Sequence, residues 1–196
     1  MLFEPTILFN NLERLTNKQK IAFGASLCER LLPNYMKFTE IEKWGDFSFM
    51  RRTLDEIWKH ILENEISESR IEELMVGCYR LTPGADDFIS IYTSFAIDAG
   101  GAIHETLKCC LDGKAEHIVD VASFARDSLD KYIQEKNDLQ YSDPSFEERI
   151  LNDPLMQREL QRQKKELNLL RNEIILNVQF ISNELLFNKG KSILDN

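Results

Sequence analysis

Apolar residues recur at helical spacing along nearly the whole chain, and most runs of that pattern end at a turn-forming residue. Residues 6–15 put Ile7, Leu8, Leu12 and Leu15 on one side and predict a short helix. Asn17 is placed to cap a second, longer helix carrying Ile21, Phe23, Ala25, Leu27, Cys28, Leu31 and Leu32. Pro33 has no N–H to offer the Glu29 carbonyl. A kink or break is expected there, with helix resuming through Tyr35, Phe38 and Ile41 to Trp44-Gly45. Asp46 predicts the N-cap of a further helix whose stripe is Phe47, Met50, Leu54, Ile57, Trp58 and Ile61. Ser67 caps another, with Ile71, Leu74, Met75 and Cys78 inward.

Thr82-Pro83-Gly84 is a turn, and a helix is expected over roughly 87–111. It contains the pair Gly100-Gly101, and glycine costs a helix up to ~1 kcal/mol against alanine. A second backbone crossing closely would justify the pair, and the helix beginning near Asn17 is the expected partner. Asp112-Gly113 ends the element, and Ile118, Val121, Ala122, Ala125, Leu129, Tyr132 and Ile133 mark a helix over about 115–138. A short connection follows, bracketed by Ser142-Asp143-Pro144 and Asn152-Asp153-Pro154. Pro154 suits the first position of a last helix capped by Asp153 and uninterrupted by Gly or Pro until Gly190. Met156, Leu160, Gln163, Leu167, Leu170 and Ile174 alternate at spacings of four and three, a coiled-coil seam. The stripe then widens through Ile175, Val178, Phe180, Ile181, Leu185, Leu186 and Phe187. The fold class expected is all-α: one compact domain over residues 1–196, about seven helices, with a long C-terminal helix.

Composition supports this reading and narrows the function. Apolar residues make up 43% and charged residues 29%, and Gly (8) and Pro (5) are too few for the turns of a β-rich chain. The net charge is −9. Residues 46–113 carry −7 and residues 154–196 carry +2. A basic footprint for nucleic acid is missing, and an anionic membrane surface is disfavoured for the same reason. Cys28, Cys78, Cys109 and Cys110 form no CxxC and no zinc-type spacing. The start Met1-Leu2-Phe3-Glu4-Pro5 lacks the basic region of a signal peptide, and no apolar run is long enough to cross a membrane. Free thiols in a reducing cytoplasm are expected. No Walker-type loop, GxGxxG, HExxH or nucleophile elbow occurs, so neither cofactor nor metal is expected.

Several segments resemble the YjaG-like family of small bacterial proteins of unknown function. They are Leu27-Cys28-Glu29-Arg30-Leu31-Leu32-Pro33-Asn34-Tyr35, Arg51-Arg52-Thr53-Leu54-Asp55-Glu56-Ile57-Trp58, Ala85-Asp86-Asp87-Phe88 and Ala96-Ile97-Asp98-Ala99. The likeness runs from about residue 10 to 125 and weakens into the last helix. It implies a compact all-helical domain. It implies no activity, so no catalytic residue is carried over.

The candidate chemistry is a set of carboxylates. Asp98 and Glu105 are seven residues apart, so they share a helix face about 10 Å apart along the axis. Asp86 or Asp87 begins the same predicted helix, and Glu29, beside Pro33, could join them. Such a cluster can hold a hard cation or act as an acid/base pair. The plainer reading makes Asp86 or Asp87 a helix cap and turns Asp98 and Glu105 to water or to arginine. His104 precedes Glu105 and has no framing motif. Cys109-Cys110 point about 100° apart on a helix, which suits packed thiols rather than a vicinal disulfide. Arg51 and Arg52 precede Asp55 and Glu56 by four, as ordinary exposed ion pairs.

The function expected from these residues is that of a non-enzymatic cytoplasmic binding or interaction protein. Its partner is an unknown protein or a second copy, with a homodimer through residues 156–174; packing of that seam against the helix over 115–138 of the same chain is the equal alternative. The alternative is a small metal-assisted hydrolase using Asp86, Asp87, Asp98 and Glu105. Convergence of those carboxylates in one pocket separates the two.

Overall fold

The computed structural model describes residues 3–63, 66–173, 175–186 and 190–195. Among them are nine α-helices, against the expected seven or so, and no strand. They are α1 (Pro5–Leu12), α2 (Asn17–Glu42), α3 (Phe47–Glu63), α4 (Glu68–Leu81), α5 (Tyr92–Asp112), α6 (Ala115–Lys136), α7 (Phe146–Asn152), α8 (Pro154–Asn172) and α9 (Val178–Phe180). A π-helical turn, Ile181–Leu185, continues α9.

The centre of the fold is α2. Every residue from Gln19 to Leu32 is buried, and α3, α5, α6 and α8 pack around it. One contiguous apolar core runs from Leu8 to Ile193. A helix enclosed this way is stabilised by pairing its polar groups. The polar side chains of α2 accordingly fasten different neighbours. Gln19 donates to carbonyls at the end of α8. Lys20 donates to the Gly113 carbonyl between α5 and α6, Glu29 binds α3, and Tyr35 donates to the Leu81 carbonyl of α4.

Several boundaries differ from the sequence reading. The cap of α2 is Thr16, one residue earlier than expected, in a reciprocal box with Gln19. Pro33 lies inside α2 without ending it. Burial of the flanking Leu31, Leu32, Tyr35 and Phe38 holds the helix together, and the Arg30 carbonyl accepts the Ile193 N–H at 2.9 Å. α5 begins at Tyr92 rather than near 87, because Asp87 Oδ2 accepts the Gly84 N–H at 2.7 Å and closes a turn. The Phe88 ring then packs against Phe38 and Trp44, with ring centres 5.2 and 5.6 Å apart, and anchors the chain before the helix.

The last expected helix is divided. α8 stops at Asn172, and Glu173 is extended at φ −93° and ψ 114°. The described seam residues Met156, Leu160, Gln163, Leu167 and Leu170 are all buried, with α2 and α6 among the helices packed on α8. Ile174 and Phe187 lie outside the described residues. Self-association through 156–174 would therefore have to use the opposite, polar face of α8. Asp46, Ser67 and Asp153 do accept backbone N–H groups as the predicted caps of α3, α4 and α8.

The glycine pair marks close packing, but not against α2. A Cβ on Gly100 would collide with the Thr82 side chain, and one on Gly101 would sit 2.8 Å from Phe124 Cζ of α6. The glycine that lets α2 approach α5 and α6 is Gly24, where a Cβ would lie 2.7 Å from Ile118 Cδ1.

Candidate functional site

The five predicted carboxylates occupy separate places. Glu29 is buried beneath α3, where Arg51 grips it through two bonds at 2.6 and 2.8 Å and Trp58 Nε1 donates at 2.8 Å. Arg51 also meets Asp55 at 2.8 Å, so the expected surface pair is one edge of a partly buried cluster. Asp86 is exposed, and Asp87 braces the turn at Gly84. Neither caps α5.

Asp98 and Glu105 do share a face, as their spacing predicts, and that face meets α6. Ser128 Oγ donates to Asp98 Oδ2 at 2.6 Å. Burial pushes the Asp98 carboxyl up to about 6. Two turns on, Glu105 meets Lys108 Nζ at 2.7 Å and His117 Nδ1 at 2.8 Å. The other ring nitrogen of His117 lies 3.2 Å from Asp112 Oδ2. Burial opposes the charge of Glu105, but the bonds from Lys108 and His117 outweigh it and hold the carboxyl below its ordinary value. None of the five carboxylates converges on another in a shared pocket. Among the described residues no group of three or more His, Cys, Asp or Glu side chains is disposed to hold a metal ion.

The four cysteines are free, three of them buried. Burial pushes the thiols of Cys28, Cys78 and Cys109 up to about 12. They pack as small hydrophobes rather than as nucleophiles.

The arrangement that sequence reasoning missed lies between α2 and α8. Arg30 is buried and clamps Glu159 with two bonds, at 3.1 Å from Nε and 2.7 Å from Nη2. Its Nη1 reaches Glu166 Oε1 at 2.9 Å and the Ser26 carbonyl at 3.0 Å, and its Nη2 reaches Glu166 Oε2 at 3.3 Å. All five guanidinium protons thus have an acceptor. Arg162 Nε donates to Glu166 Oε1 at 2.9 Å, so two arginines balance two glutamates. Burial disfavours the charge on Arg30, and Glu159 and Glu166 more than compensate, so its affinity for its proton is raised. A signal for this cluster exists in the sequence. Arg30 is a cation within an apolar run, and Glu159 and Glu166 are seven apart beside the seam residues.

Above this quartet a cleft of about 410 Å³ opens between α8 and the C-terminal segment. Its walls include Arg158, Arg162 and Lys165 from α8, Glu184 from the π-turn, and Lys191 and Ser192 beyond it. The third wall is pinned to the body. Arg158 Nη2 donates to the Ile193 carbonyl at 3.0 Å, and Ser192 Oγ donates to Asn34 Oδ1. A second groove, about 370 Å³, separates α1 from α8 and is lined mainly by Phe3, Ile7, Leu8, Leu160 and Leu167. Glu4, Asn11, Gln163 and Lys164 complete its lining.

Residues 7–191 match the family described as "Protein of unknown function (DUF416)". An uncharacterized protein YjaG of Escherichia coli K12 is 36% identical over 126 residues, 62% of this chain and 61% of that protein. The match thus spans about three fifths of that relative's length. An uncharacterized protein of Haemophilus influenzae is 23% identical over 146 residues, 72% of each chain. A crystal structure of a DUF416 family protein from Shewanella baltica superposes with a TM-score of 0.79 at 24% identity, covering 89% of each chain, and so shares the fold. With an all-helical architecture built on one buried helix and a family match over nearly its whole length, the chain belongs to the DUF416 family of proteins of unknown function.

Proposed function

We propose that this protein is a non-enzymatic binding protein and that the cleft over the Arg30 quartet is its ligand site. One observation carries the reading. Charged and polar side chains from three separated stretches of chain converge on a cleft of about 410 Å³ whose floor is a satisfied ion cluster. A floor with its protons already committed holds its shape when a ligand enters, which is the preorganisation that binding sites need. Cleft size is in the range that takes a small molecule. The free, mostly buried thiols suit a reducing cytoplasm.

The hydrolase alternative draws on Asp98 alone, a carboxyl raised to about 6 and therefore in the range of a general acid. Its hydrogen-bond partner is a serine hydroxyl, and among the described residues it joins no group of three or more side chains able to hold a cation.

The test is a thermal-shift screen of small polar metabolites on the full chain and on Gln161→Trp, which places a bulky ring at the exposed cleft edge. A compound that raises the melting temperature of wild type and not of the variant supports the site. If every stabilising compound acts equally on both proteins, or none stabilises either, the cleft is not the ligand site.

A further inference from the structure

The basic and acidic residues of α8 are sorted by side. Its only acids, Glu159 and Glu166, are buried at 3% and 1% exposure and are spent on Arg30. Arg158, Lys164, Lys165 and Arg171 are exposed and Arg162 is half-buried. A helix with mixed charges thereby presents a cationic face, on a chain whose net charge is −9. Turning the acids inward is what the buried arginine requires, because an unpaired buried guanidinium is strongly destabilising. The outward excess of positive charge follows from it.

Of these, Arg158, Arg162 and Lys165 form one wall of the cleft, and the opposite wall adds Lys191. The acids at the rim are Glu184, which meets Lys165 at a loose 3.8 Å, and Asp195, whose Oδ2 accepts the Ser192 N–H at 2.9 Å. The cleft is therefore rich in donors, and its loosely held cations exceed its uncommitted acids.

We propose that the cleft binds a small polyanion, a molecule bearing two or more phosphoryl or carboxylate charges, through Arg158, Lys165 and Lys191. This rests on the reading of the cleft as a ligand site and adds the chemical class. Arg158 keeps its bond to Ile193 and has further N–H groups to offer. Lys165 and Lys191 are flexible point charges suited to an oxyanion. A cleft of about 410 Å³ suits a compact ligand rather than an extended polymer, which would track the whole face of α8.

Isothermal titration of the full chain in phosphate-free buffer tests this with inorganic pyrophosphate, citrate and glycerol. Binding of pyrophosphate, citrate or both is expected, with no heat from glycerol and weaker binding as salt is added. Pyrophosphate alone identifies a phosphoryl ligand, and citrate alone a carboxylate one. Lys191→Glu and Lys165→Glu should each weaken binding about tenfold, the cost of one charge-assisted bond. Lys164→Glu, an equal charge change off the cleft lining, should leave it within about twofold. Equal weakening by Lys164→Glu would show diffuse attraction and overturn the proposal. So would displacement of pyrophosphate by a single-stranded oligonucleotide that binds more tightly. If neutral compounds bind, Gln161→Trp blocks them and neither anion binds, the cleft stands as a site and the polyanion class fails. If nothing binds, both fail together.

Discussion

The Gln19 side-chain amide donates to the Leu170 carbonyl at 2.6 Å and to the Glu173 carbonyl at 2.8 Å. One residue at the start of α2 thus closes the end of α8, where, among the described residues, the Leu170 carbonyl otherwise has only the Glu173 N–H at 3.3 Å. The same side chain accepts the Thr16 N–H through Oε1 at 2.8 Å. The Thr16 hydroxyl donates to the same oxygen at 3.0 Å, so Gln19→Ala removes four bonds and leaves the part-buried Glu173 carbonyl without this donor, and a loss of about 2–3 kcal/mol is expected. Urea denaturation measures it. Hydrogen exchange should rise in the last turn of α8 and the first of α2, and an effect confined to α2 would refute the link.

The Arg30 quartet makes a sharper claim. Arg30→Met leaves Glu159 without a cation and Glu166 with Arg162 alone, and should cost about 3–5 kcal/mol, as breaking a buried pair does. Replacing all three, Arg30→Met with Glu159→Leu and Glu166→Leu, removes the three fully buried charges together and leaves the half-buried Arg162 to turn to solvent, so much of that loss should be recovered. Chemical denaturation of the single and triple variants decides it. A triple variant less stable than Arg30→Met would mean the charges do not act as one unit.

Most of the helices were readable because an amphipathic period and a capping residue are both local signals. Asp46, Ser67, Asp153 and Gly113 mark real helix ends for that reason. What the pattern could not show was set at long range. The end of α8 depends on Gln19, distant in sequence, so an uninterrupted apolar period read as one helix through to Gly190. The late start of α5 depends on Phe88 finding Phe38 and Trp44. Pro33 looked disruptive because its local cost is visible while the packing around it is not. The carboxylate face of Asp98 and Glu105 was legible from spacing alone. The cleft was not, because its walls come from α8 and the C-terminal segment and its floor from α2. Only Arg30 among apolar neighbours hinted at it.

Gly100 and Gly101 differ in what their neighbours can yield. A Cβ on Gly100 meets Thr82 at its hydroxyl and at its own Cβ, 3.0 Å away, so the backbone must shift. A Cβ on Gly101 meets the Phe124 ring edge at 2.8 Å, and a ring turns more easily. Gly100→Ala should therefore lower stability by about 1–3 kcal/mol despite the gain in helix propensity. Gly101→Ala should fall within about 1 kcal/mol of wild type. Thr82→Ala should rescue part of the Gly100→Ala loss by removing the hydroxyl. Thermal melts of the four proteins test the ranking, and a more damaging change at Gly101 would reverse it.

Asp98 provides a test in pH. Its carboxyl is raised from 3.8 to about 6 by burial, and Asp127 adds to the shift while Ser128 and Lys131 oppose it. The folded chain therefore binds this proton more tightly than the unfolded chain. The contribution to stability is fully present below the unfolded value and is lost as pH rises through about 6. At neutral pH the buried charge is a cost. Asp98→Asn keeps an acceptor for Ser128 and carries no charge, so it should be more stable than wild type by about 1–3 kcal/mol near pH 7. The advantage should shrink to nothing near pH 4, where Asp98 in wild type is protonated. Glu105 and Asp112, the latter held at about 2 because burial is outweighed by the Lys114 N–H, the Lys114 ammonium and His117 acting together, titrate in both proteins. They cancel in the difference of melting temperatures. A difference that stays flat between about pH 4 and pH 7, or that grows as pH falls, would show that Asp98 is not held neutral by its burial between α5 and α6.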